Sequence, residues 1–132
     1  LILCLFDEDK LVQKIRAVTG GQGVDAVLEI VGTAQTLQIT RDSVKTGGRI
    51  VIVGYKPDIT WTISPLSMVL EEVSIIGTRA SNWLELRDSL NLVAEGRVKA
   101  VIGYKAPLEE AQVIHEKLKR GDFQGRAVLM ID

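Results

Sequence analysis

Three short apolar runs, rich in β-branched residues, each stop at a glycine: "VDAVLEIVG" (24–32), "RIVIVGY" (49–55) and "VSIIGT" (73–78). Inside them, "AVLEIV" and "RIVIV" are nearly continuous and lack the in/out alternation of a strand with one wet face. Strands covered on both faces read this way, and they belong to parallel sheets clothed by helices. Between the runs, apolar residues recur at helical spacing, so strands and helices alternate. The pattern predicts an α/β domain with a mostly parallel sheet and right-handed crossovers.

The chain resolves into strands predicted at 1–6 ("LILCLF"), 26–31, 49–53, 73–76, 98–102 and 126–131. Asp7 or Asp9 is expected to cap a first helix carrying Leu11, Ile15 and Val18, which "TGGQG" stops. Thr33 is expected to cap a second, carrying Leu37 and Val44 and ending at Gly47-Gly48. Ser64-Pro65 supplies a cap and first helical residue for a third, running through Glu72. Asn82 with Glu85 forms a capping pair for a fourth, with Leu86, Leu90 and Val93 on one face and Gly96 at its close. Pro107 opens a fifth helix, and Gly121 closes it.

Composition excludes several partners. With 16 basic against 17 acidic residues, net charge −1 and 5% aromatics, the chain has no basic stripe, so no nucleic-acid partner is expected. The apolar opening is too short for a membrane helix, and no membrane partner is expected. One cysteine, Cys4, excludes an internal disulfide and a cysteine-only metal site, and fits a cytoplasmic location. A chain that opens without methionine on an apolar strand is expected to be a piece of something longer.

In an open parallel sheet, ligands bind in the crevice beyond the carboxyl ends of the strands. Glycine suits that place, since it lacks a Cβ and tolerates positive φ. Gly32, Gly54 and Gly77 are therefore either turn residues or one wall of a nucleotide cleft, and both readings stand. "GQGVDA" matches the G-x-G-x-x-G/A dinucleotide fingerprint by letter only. The fingerprint needs a strand before it and a helix after it. Here a helix precedes and a strand follows, so the match is a tight turn.

"TGGQGVDAVLEIVG", "KTGGRIVIVGY", "VSIIGTRAS", "AEGRVKAVI" and "PLEEAQVIHEKLKRGDFQGRAVL" occur in the order and spacing of a known family. The chain resembles the zinc-type, medium-chain alcohol dehydrogenases and their quinone oxidoreductase relatives, with the middle closer to the alcohol dehydrogenase branch. The resemblance implies a Rossmann-like doubly wound sheet truncated at its N-terminal part. The first two strands, the glycine fingerprint, the catalytic domain and all zinc ligands lie before residue 1 in that family. Residues 1–132 would then be a partial NAD(P)-binding domain plus the family's C-terminal segment.

The resemblance further implies an oxidoreductase transferring hydride between NAD or NADP and a small alcohol/carbonyl substrate, with zinc in the parent enzyme only. In such enzymes the positions of Ile30, Val31 and Gly32 lie beside the adenosine ribose and cofactor spine. Val53, Gly54 and Tyr55 match the approach to the nicotinamide, and Gly77, Thr78 and Arg79 flank its amide. Arg126 matches a basic residue that contacts the pyrophosphate. By itself the chain is expected to bind the nicotinamide dinucleotide weakly or not at all and to be inactive. The family's sheet order, 3-2-1-4-5-6, would leave 26–31 with an open edge, and its dimers pair strands near 73–79 and 98–104, so a homodimer is expected. A non-catalytic dimerisation or scaffold module is the alternative, and another doubly wound nucleotide binder is a third.

No residue of the chain is expected to be catalytic or to ligate metal. His115, the single histidine, reads as a helix-surface side chain, and Cys4 as a buried hydrophobe. Asp7, Glu8 and Asp9 lack calcium-loop spacing. Ser64, Ser67 and Ser81 lack a nucleophile elbow. Lys117, Lys119 and Arg120 complement a helix C-terminus. Glu29 sits among strand residues, where a carboxylate needs a partner; a cofactor hydroxyl and a charge within the sheet are its two candidates.

Overall fold

A computed structural model describes residues 8–131. The strand expected at 1–6, with Cys4, and the cap expected at Asp7 lie outside these residues. The chain divides into two compact units, 1–80 and 81–132. No helix among the described residues is long and apolar enough to cross a membrane.

The first unit holds α1 (Glu8–Val18), β1 (Val24–Glu29), α2 (Ala34–Ser43), β2 (Val44–Ile52), α3 (Pro65–Glu71) and β3 (Ser74–Gly77). The three strands form one parallel sheet in the order β1-β2-β3. Ile50, fully buried on the central strand, anchors the core with Val44 and Val73, and Val27, Trp61 and Met68 pack around them. Among the described residues β1 pairs with β2.

Helix starts follow the capping logic. The Thr33 hydroxyl accepts the Thr36 N–H at 3.1 Å, and the Thr36 hydroxyl accepts the Thr33 N–H at 3.1 Å. Ser64 accepts from Ser67 with Pro65 as first helical residue. Helix α1 runs from Glu8, so Asp9 stands within it and not at its N-cap position. The second helix ends at Ser43, four residues before the expected glycines. Val44 is 2% exposed and takes an extended conformation, so core burial outweighs its helical spacing. Val24 pairs with Val44 while Ala26 pairs with Arg49, so residues 45–48 bulge out of the ladder.

The second unit holds α4 (Trp83–Ala94), β4 (Ile102–Pro107), a 3-10 turn (Leu108–Glu110), α5 (Ala111–Arg120) and β5 (Arg126–Met130). β4 and β5 make a separate two-stranded parallel sheet, with Ala106 and Ile114 buried. Asn82 Oδ1 accepts the N–H groups of Leu84 and Glu85 at 2.9 and 3.0 Å, and Glu85 returns the bond to the Asn82 N–H at 2.8 Å. Gly121 ends α5 at φ 73°.

The strand expected at 98–102 lies instead at Ile102–Pro107. The N–H groups of Arg97 and Val98 both reach the Leu92 carbonyl, at 3.0 and 3.2 Å, so this stretch closes α4 before any strand can begin. Pro107 accordingly ends a strand, and the helix expected from it begins at Ala111 after the 3-10 turn.

Candidate functional site

β1 ends at Glu29 and β2 at Ile52, so Ile30–Gly32 and Val53–Tyr55 leave the sheet side by side at its carboxyl edge. The two exits interlock. A Cβ on Gly54 would lie 2.2 Å from the Ile30 carbonyl oxygen, and one on Gly32 would lie 2.5 Å from the Tyr55 Cα. Gly32 also holds φ at +73°, a conformation costly for other residues. These two glycines let one strand end rest against the other. Gly77 differs: nothing stands within 4 Å of its missing Cβ, and it is exposed.

Glu29 governs this edge. Its Oε1 accepts the N–H groups of Val31 and Gly32, both at 2.7 Å, and its Oε2 accepts the Thr40 hydroxyl at 3.2 Å. Its backbone carbonyl accepts the N–H groups of Val53 and Gly54 at 2.8 and 3.0 Å. The residue is 4% exposed. Burial pushes its carboxyl up, but the Gly32 and Val31 N–H groups and the Thr36 and Thr40 hydroxyls outweigh this and hold it below the ordinary glutamate value. No charged side chain, one of the two partners expected from the sequence, is among these contacts. The chain's own amides and hydroxyls satisfy it.

The third strand end joins through Thr78, whose N–H and hydroxyl both donate to the Ile52 carbonyl, at 3.0 and 3.2 Å. Nine of the ten expected positions thus follow the ends of three adjacent parallel strands: Ile30, Val31, Gly32, Val53, Gly54, Tyr55, Gly77, Thr78 and, beyond them, exposed Arg79. Ile30, Val31, Val53 and Tyr55 present apolar side chains to solvent, Tyr55 at 82% exposure. A shallow cavity of about 170 Å³ opens there, lined by Gly32, Gly54, Tyr55, Lys56, Ile59 and Trp61. Its size admits one small ring. Arg126 belongs to the second unit, as the exposed first residue of β5.

Lys56, Ile59 and Trp61 were not foreseen at this edge, since "YKPDITWTI" reads as a plain loop. The alternation of Ile59, Trp61 and Ile63 is the signal that this loop packs inward. "GQGVDA" forms the expected turn: Gly20, Gly21 and Gly23 have φ of 62°, 85° and 97° between α1 and β1. His115 is exposed on α5. Lys117, Lys119 and Arg120 lie in the last turn of α5 as expected, and Lys117 also lies 4.1 Å over the Tyr104 ring and donates to its hydroxyl at 2.9 Å. No three His, Cys, Asp or Glu side chains converge on a metal position among the described residues, so these residues do not fit a zinc ion.

Residues 4–95 match the family described as zinc-binding dehydrogenases. The chain belongs to that family. It is 30% identical to an alcohol dehydrogenase of Geobacillus stearothermophilus over 94% of this chain and 36% of that protein. It is 32% identical to an NAD-dependent alcohol dehydrogenase of Sulfurisphaera tokodaii over 90% of this chain and 34% of that one. Among solved structures, the alcohol dehydrogenase of Aeropyrum pernix superimposes with a TM-score of 0.81 at 29% identity, covering 91% of this chain and 34% of its own. The chain therefore spans about a third of the length of these relatives. Its α/β, Rossmann-like parallel architecture is that of their cofactor-binding domains.

Two outcomes test the edge. Gly54→Ala should destabilise the protein by about 2–3 kcal/mol in chemical denaturation, because backbone must move. Gly77→Ala should stay within about 1 kcal/mol of wild type, having open space. For Glu29, a lowered folded-state value means its contribution is complete above the unfolded glutamate value near ~4.3 and is lost as pH falls through the folded value. Acid titration of the unfolding free energy should show that loss, and Glu29→Gln should remove it while costing about 1.5–3 kcal/mol at neutral pH.

Proposed function

We propose that the chain supplies one wall of the nicotinamide dinucleotide site of an NAD(P)-dependent alcohol dehydrogenase. Its first unit is the partial Rossmann domain, its second the family's C-terminal segment. The observation that carries this is the ledge of three parallel strand ends, stitched by Glu29 and Thr78, with apolar side chains facing solvent and Gly77 open. Such a ledge takes a planar ring and a ribose by close backbone approach. Ile30, Val31 and Gly32 meet the adenosine half, Val53, Gly54 and Tyr55 the nicotinamide, and Gly77, Thr78 and Arg79 its amide.

The bound cofactor supplies the hydride exchanged with a small alcohol or carbonyl compound. The residues of this chain orient the nicotinamide and exclude water from one side of it; none holds or moves a proton in the reaction. Zinc, as Lewis acid, belongs to the parent enzyme. The cytoplasm is the compartment this reading favours. The 132-residue chain binds NADH weakly and turns nothing over. Titration with millimolar NADH, followed by amide NMR, should move Ile30–Gly32, Val53–Tyr55 and Gly77–Arg79. Silence at all three stretches, or perturbation confined elsewhere, would sink the proposal, as would alcohol oxidation by the pure chain.

A second reading, a dimerisation or scaffold module, draws support from α4. Trp83, Leu84 and Leu90 are 82%, 61% and 61% exposed and, with Leu86 and Arg87, line an apolar groove of about 410 Å³. Exposed apolar surface of that kind marks an interaction site. Light scattering should then report a homodimer, and Leu90→Glu should return it to monomer.

A further inference from the structure

We propose that Glu29 is the positioning residue of this ledge: it couples the two strand ends, so that the shape offered to the cofactor depends on a carboxylate the cofactor never touches. The proposal rests on the cofactor assignment above, and its geometry is independent of it. Through Oε1 the side chain fixes the Val31 and Gly32 amides, and through its main-chain carbonyl the residue fixes those of Val53 and Gly54. One residue thus sets four successive donors on two neighbouring strand ends.

The coupling is mechanical. Gly54 lies against the Ile30 carbonyl and Gly32 against the Tyr55 backbone, so neither segment can turn without displacing the other. A single carboxylate oxygen, Oε1, holds both the Val31 and Gly32 amides because it carries two lone pairs, negative charge and no competing proton. A Gln amide at the same place offers one acceptor oxygen and puts an NH2 group where Oε2 now receives the Thr40 hydroxyl. The Thr40 hydroxyl can reverse to accept from it, but a neutral oxygen holds two amides less firmly than a charged one. Oε1 accepts the Val31 and Gly32 amides and Oε2 the Thr40 hydroxyl, so the carboxylate is engaged within the chain on both oxygens.

The test compares Glu29→Gln, Glu29→Asp and Ile50→Val in the 132-residue chain. Ile50→Val lowers stability from the core without touching either strand end. Glu29→Gln should cut amide exchange protection at Val31 and Gly32 by about tenfold beyond the change in global stability, and the disturbance should reach Gly54 and Tyr55. It should weaken NADH binding by about fivefold or more, whereas Ile50→Val should leave it within about twofold. Glu29→Asp, whose shorter carboxylate still reaches the amide two residues on, should recover most of the loss. Disturbance that stops at Gly32 overturns the coupling, as does Ile50→Val weakening NADH equally. A wild-type chain silent to NADH would instead overturn the cofactor assignment, and the spread of amide changes from Val31 to Tyr55 would still decide the role of Glu29.

Discussion

Everything at the carboxyl edge of the sheet depends on the contact between Gly54 and the Ile30 carbonyl. Parallel strands lie close only while their ladder continues, and this ladder stops at Glu29 and Ile52. Beyond that point the backbones stay together because two residues lack a Cβ and one carboxylate supplies the missing acceptors. A buried charge is normally costly, and here four donors around its oxygens make it tolerable. The result is a rigid ledge built from main chain, with side chains such as Tyr55 left to face outward.

On the proposed cofactor reading, that ledge lets one sequence carry half of a site. Cofactor recognition in this architecture divides between a phosphate-binding turn and the strand ends opposite it. The described residues would supply the second component, in three adjacent strands whose order is set by parallel pairing. They contain no three convergent metal ligands. Under the proposed function, the glycines and Glu29 would contribute orientation rather than chemistry.

Glu29 and Val44 show where sequence logic ran short. Both were noticed from their residue type. Val44 sits at helical spacing after Leu37, yet its burial against Ile50 and Val73 draws it into the sheet. Glu29 was open to a charge within the sheet as one partner, and its carboxyl is met instead by the Val31 and Gly32 amides and the Thr40 hydroxyl. Local spacing records the competition between helix and strand but not its outcome, because the deciding contacts are with residues far along the chain. The displaced strand at Ile102–Pro107 has a local origin: closing α4 consumed the amides of Arg97 and Val98.

The sequence by itself determined the alternation of strands and helices, the parallel character of the sheet, and the caps at Thr33, Ser64 and Asn82. These rest on local chemistry, on period, β-branching and hydroxyl or amide groups near helix starts. It also brought the three glycine-ended runs to notice as one edge. Only the tertiary structure decided what each glycine is for. Gly32 and Gly54 serve each other, and Gly77 stands open, since the presence of a neighbouring backbone within 3 Å is a property of two strands together and of neither alone.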